Sequence, residues 1–295
     1  MTFGRDRGLV FRIGLTLALL GALYVVALVA VRAAGAGVTL TVIVLGGLAL
    51  AQLFLSEPLA VRGLGAREVS ALEAPELHGM IERLCAQADL PKPRIAIAPT
   101  AAPSAFAIGR PGRRAVVGAT TGLIELLDPH ELEAVLAHEL AHVRDRDVAL
   151  LTVASFFAGV AAMLARFGWR IGGGAGEVGQ DGVRPIAALV VTVALACHLP
   201  SYGLMVALSR HRELVADRDA AMTTRRPAAL GSALLKLSAG MDAVPAADLR
   251  LAGELNAFLI VPARAKGTVV TMLPTHPPLA QRIAALERLE RDRAT

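Results

Sequence analysis

Charged residues are spread very unevenly along this chain, and their absence marks its first divisions. Residues 13–31 and 33–56 carry no charged side chain and are parted only by Arg32. Residues 148–165 and 185–209 are two further charge-free stretches, the second interrupted by His198 and Pro200. A helix needs about 20 mostly apolar residues to cross a bilayer. The pattern therefore predicts four transmembrane helices, over about 13–31, 36–56, 148–167 and 185–208. The first is read as a retained anchor rather than a cleaved signal peptide, because its apolar run is too long and a second span follows almost at once.

The polar remainder reads as one domain split by the second membrane pair. Its predicted parts are a hairpin over 1–56, the first half of the domain over 57–147, the membrane pair over 148–209 and the second half over 210–295. Leu77, Ile81, Leu84 and Ala88 recur at helical spacing between Pro75 and Asp89. Arg94 to Ala98, Ala105 to Ile108 and Ala115 to Val117 are short β-like runs set off by Pro and Gly. Asp128-Pro129, with Glu131 and Glu133, is a helix start: a cap, a proline in the first turn, and acids at the positive end of the dipole. Leu132, Val135, Leu136, Leu140 and Val143 continue that helix. Gly172 to Gly182 is a glycine-rich loop between spans three and four.

Composition sharpens this picture. Hydrophobic residues make up 55% of the 295, while aromatics make up only 4%, so Ala, Leu and Val carry the apolar content, as suits a membrane protein. A formal net charge of +5, with no basic run interleaved with aromatics, argues against nucleic acid as a partner. The two cysteines, Cys85 and Cys197, are far apart and build neither a disulfide framework nor a cysteine zinc module. Arg5, Arg7, Arg12, Arg62, Arg67, Arg210, Arg212 and Arg218 flank one side of the four spans. Arg32, Arg170 and Arg184 flank the other. The balance places both termini and the polar domain in the cytoplasm.

The chemistry sits at His138-Glu139-Leu140-Ala141-His142. Residues four apart lie about 40° apart around a helix, so both imidazoles can reach one ion from one face. Zinc accepts neutral imidazole, and a catalytic site keeps one position open for water. Glu139 stands beside them as the candidate general base. The site needs a third ligand, and Glu213 in Glu213-Leu214-Val215-Ala216-Asp217 offers it, with Asp217 one turn on to reach the free nitrogen of a ligand histidine. A solvated helix of intrahelical ion pairs is the plainer account of Arg210, Arg212, Glu213, Asp217, Arg218 and Asp219. The spans decide between them: two intervening crossings return Glu213 to the side of the histidines.

The sequence closely resembles the HtpX-like and CAAX-prenyl-protease group of integral-membrane zinc metalloproteases, and the HtpX-like members most of all. The resemblance is carried by the histidine pentad with Arg146-Asp147, by Ser209 to Asp217, by Pro103 to Gly109, and by Thr275-His276-Pro277-Pro278 with Arg282. It implies an α+β zincin-like (gluzincin) catalytic domain, one Zn²⁺ on His138, His142 and Glu213, and endopeptidase action on misfolded or unassembled membrane proteins. It also implies that His276 and Arg282 hold the substrate carbonyl or developing oxyanion. The plainer accounts are a histidine in a Pro-rich turn and an arginine paired with Glu287 or Glu290. The resemblance further implies that Ser104, Ala105, Phe106 and Ala107 border the cleft as a strand with which extended substrate pairs, unless the strand is interior to its sheet. Ser104 departs from the family, which usually has Asn there. A prenyl-protein protease and a non-catalytic zinc-binding scaffold or sensor are the rival functions, and a transporter finds no charged pair in the spans. His78, His130 and His211 are read as surface histidines, and His198 as bonding a carbonyl freed by Pro200. Oligomeric state is not legible.

Overall fold

The chain divides into two compact units, Met1–Leu55 with Leu151–Leu208, and Ser56–Leu150 with Ser209–Thr295. The computed structural model describes residues 65–108, 115–145, 209–242 and 276–294, together with a few single positions. The four predicted spans fall outside these stretches, except that Ala18, Val25, Gly46, Gly47, Val206 and Ala207 are described and helical. Arg146-Asp147, the glycine-rich loop and His198 also lie outside them. Among the described residues no helix is long and apolar enough to cross a membrane.

The second unit is an α+β arrangement. A four-stranded sheet is built from β1 (Arg67–Glu68), β2 (Arg94–Ala98), β3 (Ala105–Ile108) and β4 (Val116–Thr120) in the order β1-β2-β4-β3. β2 and β4 are parallel, with Arg94 opposite Val116, and β1 and β3 are antiparallel to their neighbours. The expected strand over Ala115 to Val117 therefore begins one residue later and runs to Thr120. Gly118 lets it continue. A Cβ there would sit 2.4 Å from the Ala96 carbonyl oxygen and 2.4 Å from the Phe106 ring, so the aromatic of β3 lies where a side chain would otherwise stand.

Alternation sorts the strands onto two faces. Ile95, Ala105, Ala107, Val117 and Ala119 join the principal core, whereas Ala96, Ala98, Phe106, Ile108 and Val116 form a smaller cluster on the opposite face. The helices that complete the core are α1 (Pro75–Ala88), α2 (Thr121–Leu126), α3 (Pro129–Arg144), α4 (residues 209–224), α5 (Pro227–Asp242) and α6 (Leu279–Ala294). Leu77, Ile81 and Leu84 face the core from α1, as the helical spacing requires. Asp89 ends α1 in the left-handed region at φ 51°, and its N–H donates to the Cys85 carbonyl. α3 packs against α1, α5, β3 and β4, and α5 in turn carries α6. The histidine helix is thus clamped between the sheet and two other helices.

Candidate metal centre

α3 starts where the residues require it. Asp128 accepts from the backbone N–H groups of His130 and Glu131, and Glu131 reaches back to accept from Asp128 N, completing a capping box with Pro129 in the first turn. Glu131 is then held further by Ser232 Oγ and Lys236 Nζ of α5, both at 2.7 Å. Burial opposes its charge, yet these donors hold its carboxyl below the ordinary range.

About two turns later, His138 and Glu139 are buried, and His142 follows one turn on at the edge of the exposed surface. The imidazoles meet edge to face, with ring centroids 4.8 Å apart and Nε2 atoms 3.1 Å apart. From α4, Glu213 approaches both: Oε2 lies 3.6 Å from His138 Nε2, and Oε1 lies 3.4 Å from His142 Nε2.

α4 comes this close because Glu213, Ala216, Asp217 and Ala220 share one face, where two alanines leave room beside two acids. All four are buried. The solvated-helix account is accordingly displaced for Arg212, Glu213, Asp217 and Asp219, which are buried, whereas Arg218 is exposed. Asp219 is buried against Arg144 of α3, and Arg212 Nη2 donates to the Asp145 carbonyl at 3.1 Å. Burial brings the pKa of the Arg212 guanidinium down to about 10.

Asp217 Oδ1 lies 3.0 Å from His138 Nδ1, the nitrogen turned away from Glu213. The other side of Asp217 is occupied by α6. Arg282 Nη2 and Nε donate to its two oxygens at 2.6 and 2.7 Å, a bidentate pair that is almost wholly buried. Arg282 Nη1 also lies 3.3 Å from Glu213 Oε2, and His276 Nδ1 lies 3.2 Å from the same oxygen. His276 occupies the bend before α6 and is buried. Arg282 thus pairs with Asp217 rather than with Glu287 or Glu290.

The electrostatics follow from this packing. Burial pushes Glu139 above the ordinary carboxylate range, outweighing the nearby imidazoles. Burial acts in the same sense on Glu213, but the neighbouring His276 and contacts with His138 and His142 hold it well below that range. Asp217 is likewise held low by Arg282 against its burial. His138 and His142 are raised despite burial, His138 by Asp217 and Glu213, His142 by Glu213.

β3 is the edge strand of the described sheet, not an interior one. The Thr120 N–H bonds the Ser104 carbonyl, so the antiparallel ladder turns the backbone groups of Phe106 and Ile108 toward β4 and aims those of Ala105 and Ala107 off the edge. Ser104 is buried; its N–H bonds Thr120 Oγ1, and its hydroxyl donates to the Ala105 carbonyl. His78 bonds the Val69 carbonyl and Lys92, His130 contacts Arg226, and His211 is half-buried on α4.

His138, His142 and Glu213 are the group of described residues able to hold a metal, with ligating atoms all within 4.8 Å of one another. Two further observations test that fit. Metal–nitrogen bonds of about 2.0–2.1 Å in a tetrahedral zinc site imply ligand separations of about 3.3 Å. The 3.1, 3.4 and 3.6 Å separations bracket that value. Second, Glu213 Oε2 is buried without a well-aligned N–H donor although three nitrogens surround it. Such an oxygen suits a cation rather than a proton.

The sequence of residues 71–290 matches the model of peptidase family M48. The chain belongs to peptidase family M48. It is similar to a protease HtpX homolog of Moorella thermoacetica, 47% identical over 292 residues, covering 98% of this chain and 97% of that one. A protease HtpX homolog 2 of Methanosarcina mazei is 45% identical over 288 residues, with the same coverage. The crystal structure of S. mikatae Ste24p shares the fold at a TM-score of 0.54 and 19% identity, covering 93% of this chain and 65% of that one. As an M48 peptidase related to HtpX proteins, the chain is a membrane-associated zinc metalloprotease, a hydrolase of peptide bonds.

Proposed function

We propose that this M48 member is a membrane-anchored endopeptidase using one Zn²⁺ held by His138, His142 and Glu213, with Glu139 as general base. The observation that carries the reading is the convergence of those three ligands beside a buried glutamate. Zn²⁺ supplies a Lewis acid that polarises a peptide carbonyl and lowers the pKa of a water toward about 7. Glu139 takes the proton of the attacking water and returns it to the leaving amine nitrogen. Its burial favours the protonated form it adopts midway, which suits a group that must both accept and donate. His276, buried with its Nδ1 3.2 Å from Glu213 Oε2, is the side chain we assign to the substrate carbonyl. The edge of β3 receives substrate as an added strand through the backbone groups of Ala105 and Ala107, giving affinity with little dependence on side-chain identity.

Four spans, over about 13–31, 36–56, 148–167 and 185–208, anchor the enzyme in the inner membrane with both termini and the catalytic domain in the cytoplasm. That position gives access to loops and tails of membrane proteins, and misfolded or unassembled ones are the substrates proposed, as part of membrane-protein quality control. The test is cleavage of an unfolded model protein by detergent-purified, zinc-restored enzyme beside Glu139→Gln at matched zinc content. Loss of about 10²–10⁴-fold in kcat/KM in the variant supports the assignment. Wild type that binds zinc yet cuts only prenylated C-terminal peptides would move the enzyme to prenyl-protein processing, and wild type that binds zinc and cuts nothing would leave a scaffold.

A further inference from the structure

Arg282 is a strange residue for the face it occupies. Leu279, Ile283, Leu286 and Leu289 make the core-facing stripe of α6, and Arg282 lies within it, 2% exposed. A guanidinium in such a place is costly unless its charge is matched. The match comes from the metal centre: both oxygens of Asp217 at 2.6 and 2.7 Å, and Glu213 Oε2 at 3.3 Å. Asp217 passes the contact on to His138 Nδ1 at 3.0 Å. A side chain engaged bidentately with a buried carboxylate does not present the same atoms to substrate.

We propose that Arg282 is a positioning residue for the metal rather than a substrate ligand, coupling the docking of α6 to the affinity of the His138, His142 and Glu213 site. Asp217 and Glu213 are two buried carboxylates on one face of α4, and their mutual repulsion would turn one of them away. The guanidinium bridges them. It thereby fixes the Glu213 carboxylate toward the imidazoles and the Asp217 carboxylate against His138, whose ring is then held at one orientation. Bidentate geometry is part of this function, because a lysine ammonium would restore the charge without the fork.

The proposal rests on the zinc reading given above, and its test separates the two. Full-length protein in detergent is titrated with zinc against a chromophoric chelator for wild type, Arg282→Gln, Arg282→Lys, Asp217→Asn and the Asp217→Asn/Arg282→Gln double variant. Thermal transitions are recorded on the same samples. Arg282→Gln is expected to weaken zinc about 10–100-fold, with Arg282→Lys between it and wild type. The double variant should lose less zinc affinity than the two single losses combined, because Arg282 acts in part through Asp217. Wild-type zinc affinity in Arg282→Gln, with kcat reduced at saturating metal, would overturn the proposal in favour of a contact to the oxyanion. Fully additive losses in the double variant would also overturn it. Should Arg282→Gln fail to fold, Arg282→Lys decides: zinc affinity equal to wild type refutes the proposal, and a loss sustains it. Failure of wild type itself to take up zinc would instead refute the metal reading on which it stands.

Discussion

The two helices that bring the proposed ligands together are held in place by opposite means. α3 is secured largely by its own sequence and the apolar residues on its flanks: Asp128 and Glu131 close its first turn, and Leu132, Val135, Leu136 and Leu140 bury it against sheet and helices. α4 carries few large apolar side chains to the core; Ala216, Ala220 and Ala221 are its buried hydrophobics there. Its hold comes from charge: Asp219 on Arg144, Arg212 on the Asp145 carbonyl, and Asp217 on Arg282. Hydrophobic burial tolerates small displacements, whereas a buried ion pair is direction-dependent and fails sharply when one partner is removed. Glu213 should therefore be the more easily perturbed half of the candidate centre.

The most severe test of that asymmetry is at the ligand itself. Glu213→Gln should lower zinc affinity by more than the roughly 100-fold that an outer-shell partner is worth, with peptidase activity lost in parallel, as read by chelator competition and cleavage of an unfolded protein. Next comes Asp219→Asn, which removes one charge from a pair clasping α4 to α3 and leaves Arg144 with a weaker partner. It should cost about 1–3 kcal/mol, seen as a lower thermal transition, and should weaken zinc as well. Equal zinc affinity in this variant would mean that α4 is held by packing after all.

Glu131→Gln probes the far end of α3 and should cost about 1–2 kcal/mol at neutral pH. Because Glu131 is held below its unfolded value, its stabilisation is present above the unfolded carboxylate range near about 4.3 and is lost as pH falls through the folded value. The difference between wild type and variant should thus shrink on acidification; a gap that widens toward low pH would contradict the assignment. Asp128→Ala should be mildest, lowering the thermal transition by less than Glu131→Gln does because the cap is solvent-accessible. It should leave zinc affinity unchanged, since α3 remains buried along its length.

The same division explains what is legible in the sequence. The start of α3 and its ligand spacing follow from local rules, and Asp128, Pro129 and Glu131 stand where the cap, first turn and box require. Strands Arg94–Ala98 and Ala105–Ile108 are equally plain from their composition and the Pro and Gly around them. The parallel pairing of β2 with β4, the position of β3 at the edge, and the short strand β1 are not, because strand order depends on contacts between distant segments. α2 leaves no mark of its own, since Thr120 ends a strand and caps a helix at the same residue, with no loop to signal the change. For α5 the signal is Pro227 ahead of a run of Ala and Leu.

In the site, the pentad announces His138, Glu139 and His142, while Glu213 needs an argument from chain crossings because its surroundings look solvated. For Arg282 the acids offered by its own helix, Glu287 and Glu290, are the wrong partners. Helical spacing puts Leu279, Arg282, Ile283 and Leu286 on one face, and an arginine in an apolar stripe signals a buried acid supplied from elsewhere. Only the fold reveals that the acid is Asp217.

The separation of Arg282 from Asp217, 65 residues along the chain, also sets a clock. At about 5–20 residues per second of synthesis, Asp217 and Glu213 exist for about 3–13 s before the arginine that balances them has been made. During that interval the two imidazoles and two carboxylates are already present, but the helix that fastens them is not. The chain order thus makes the last described helix the final part of the candidate centre to be synthesised.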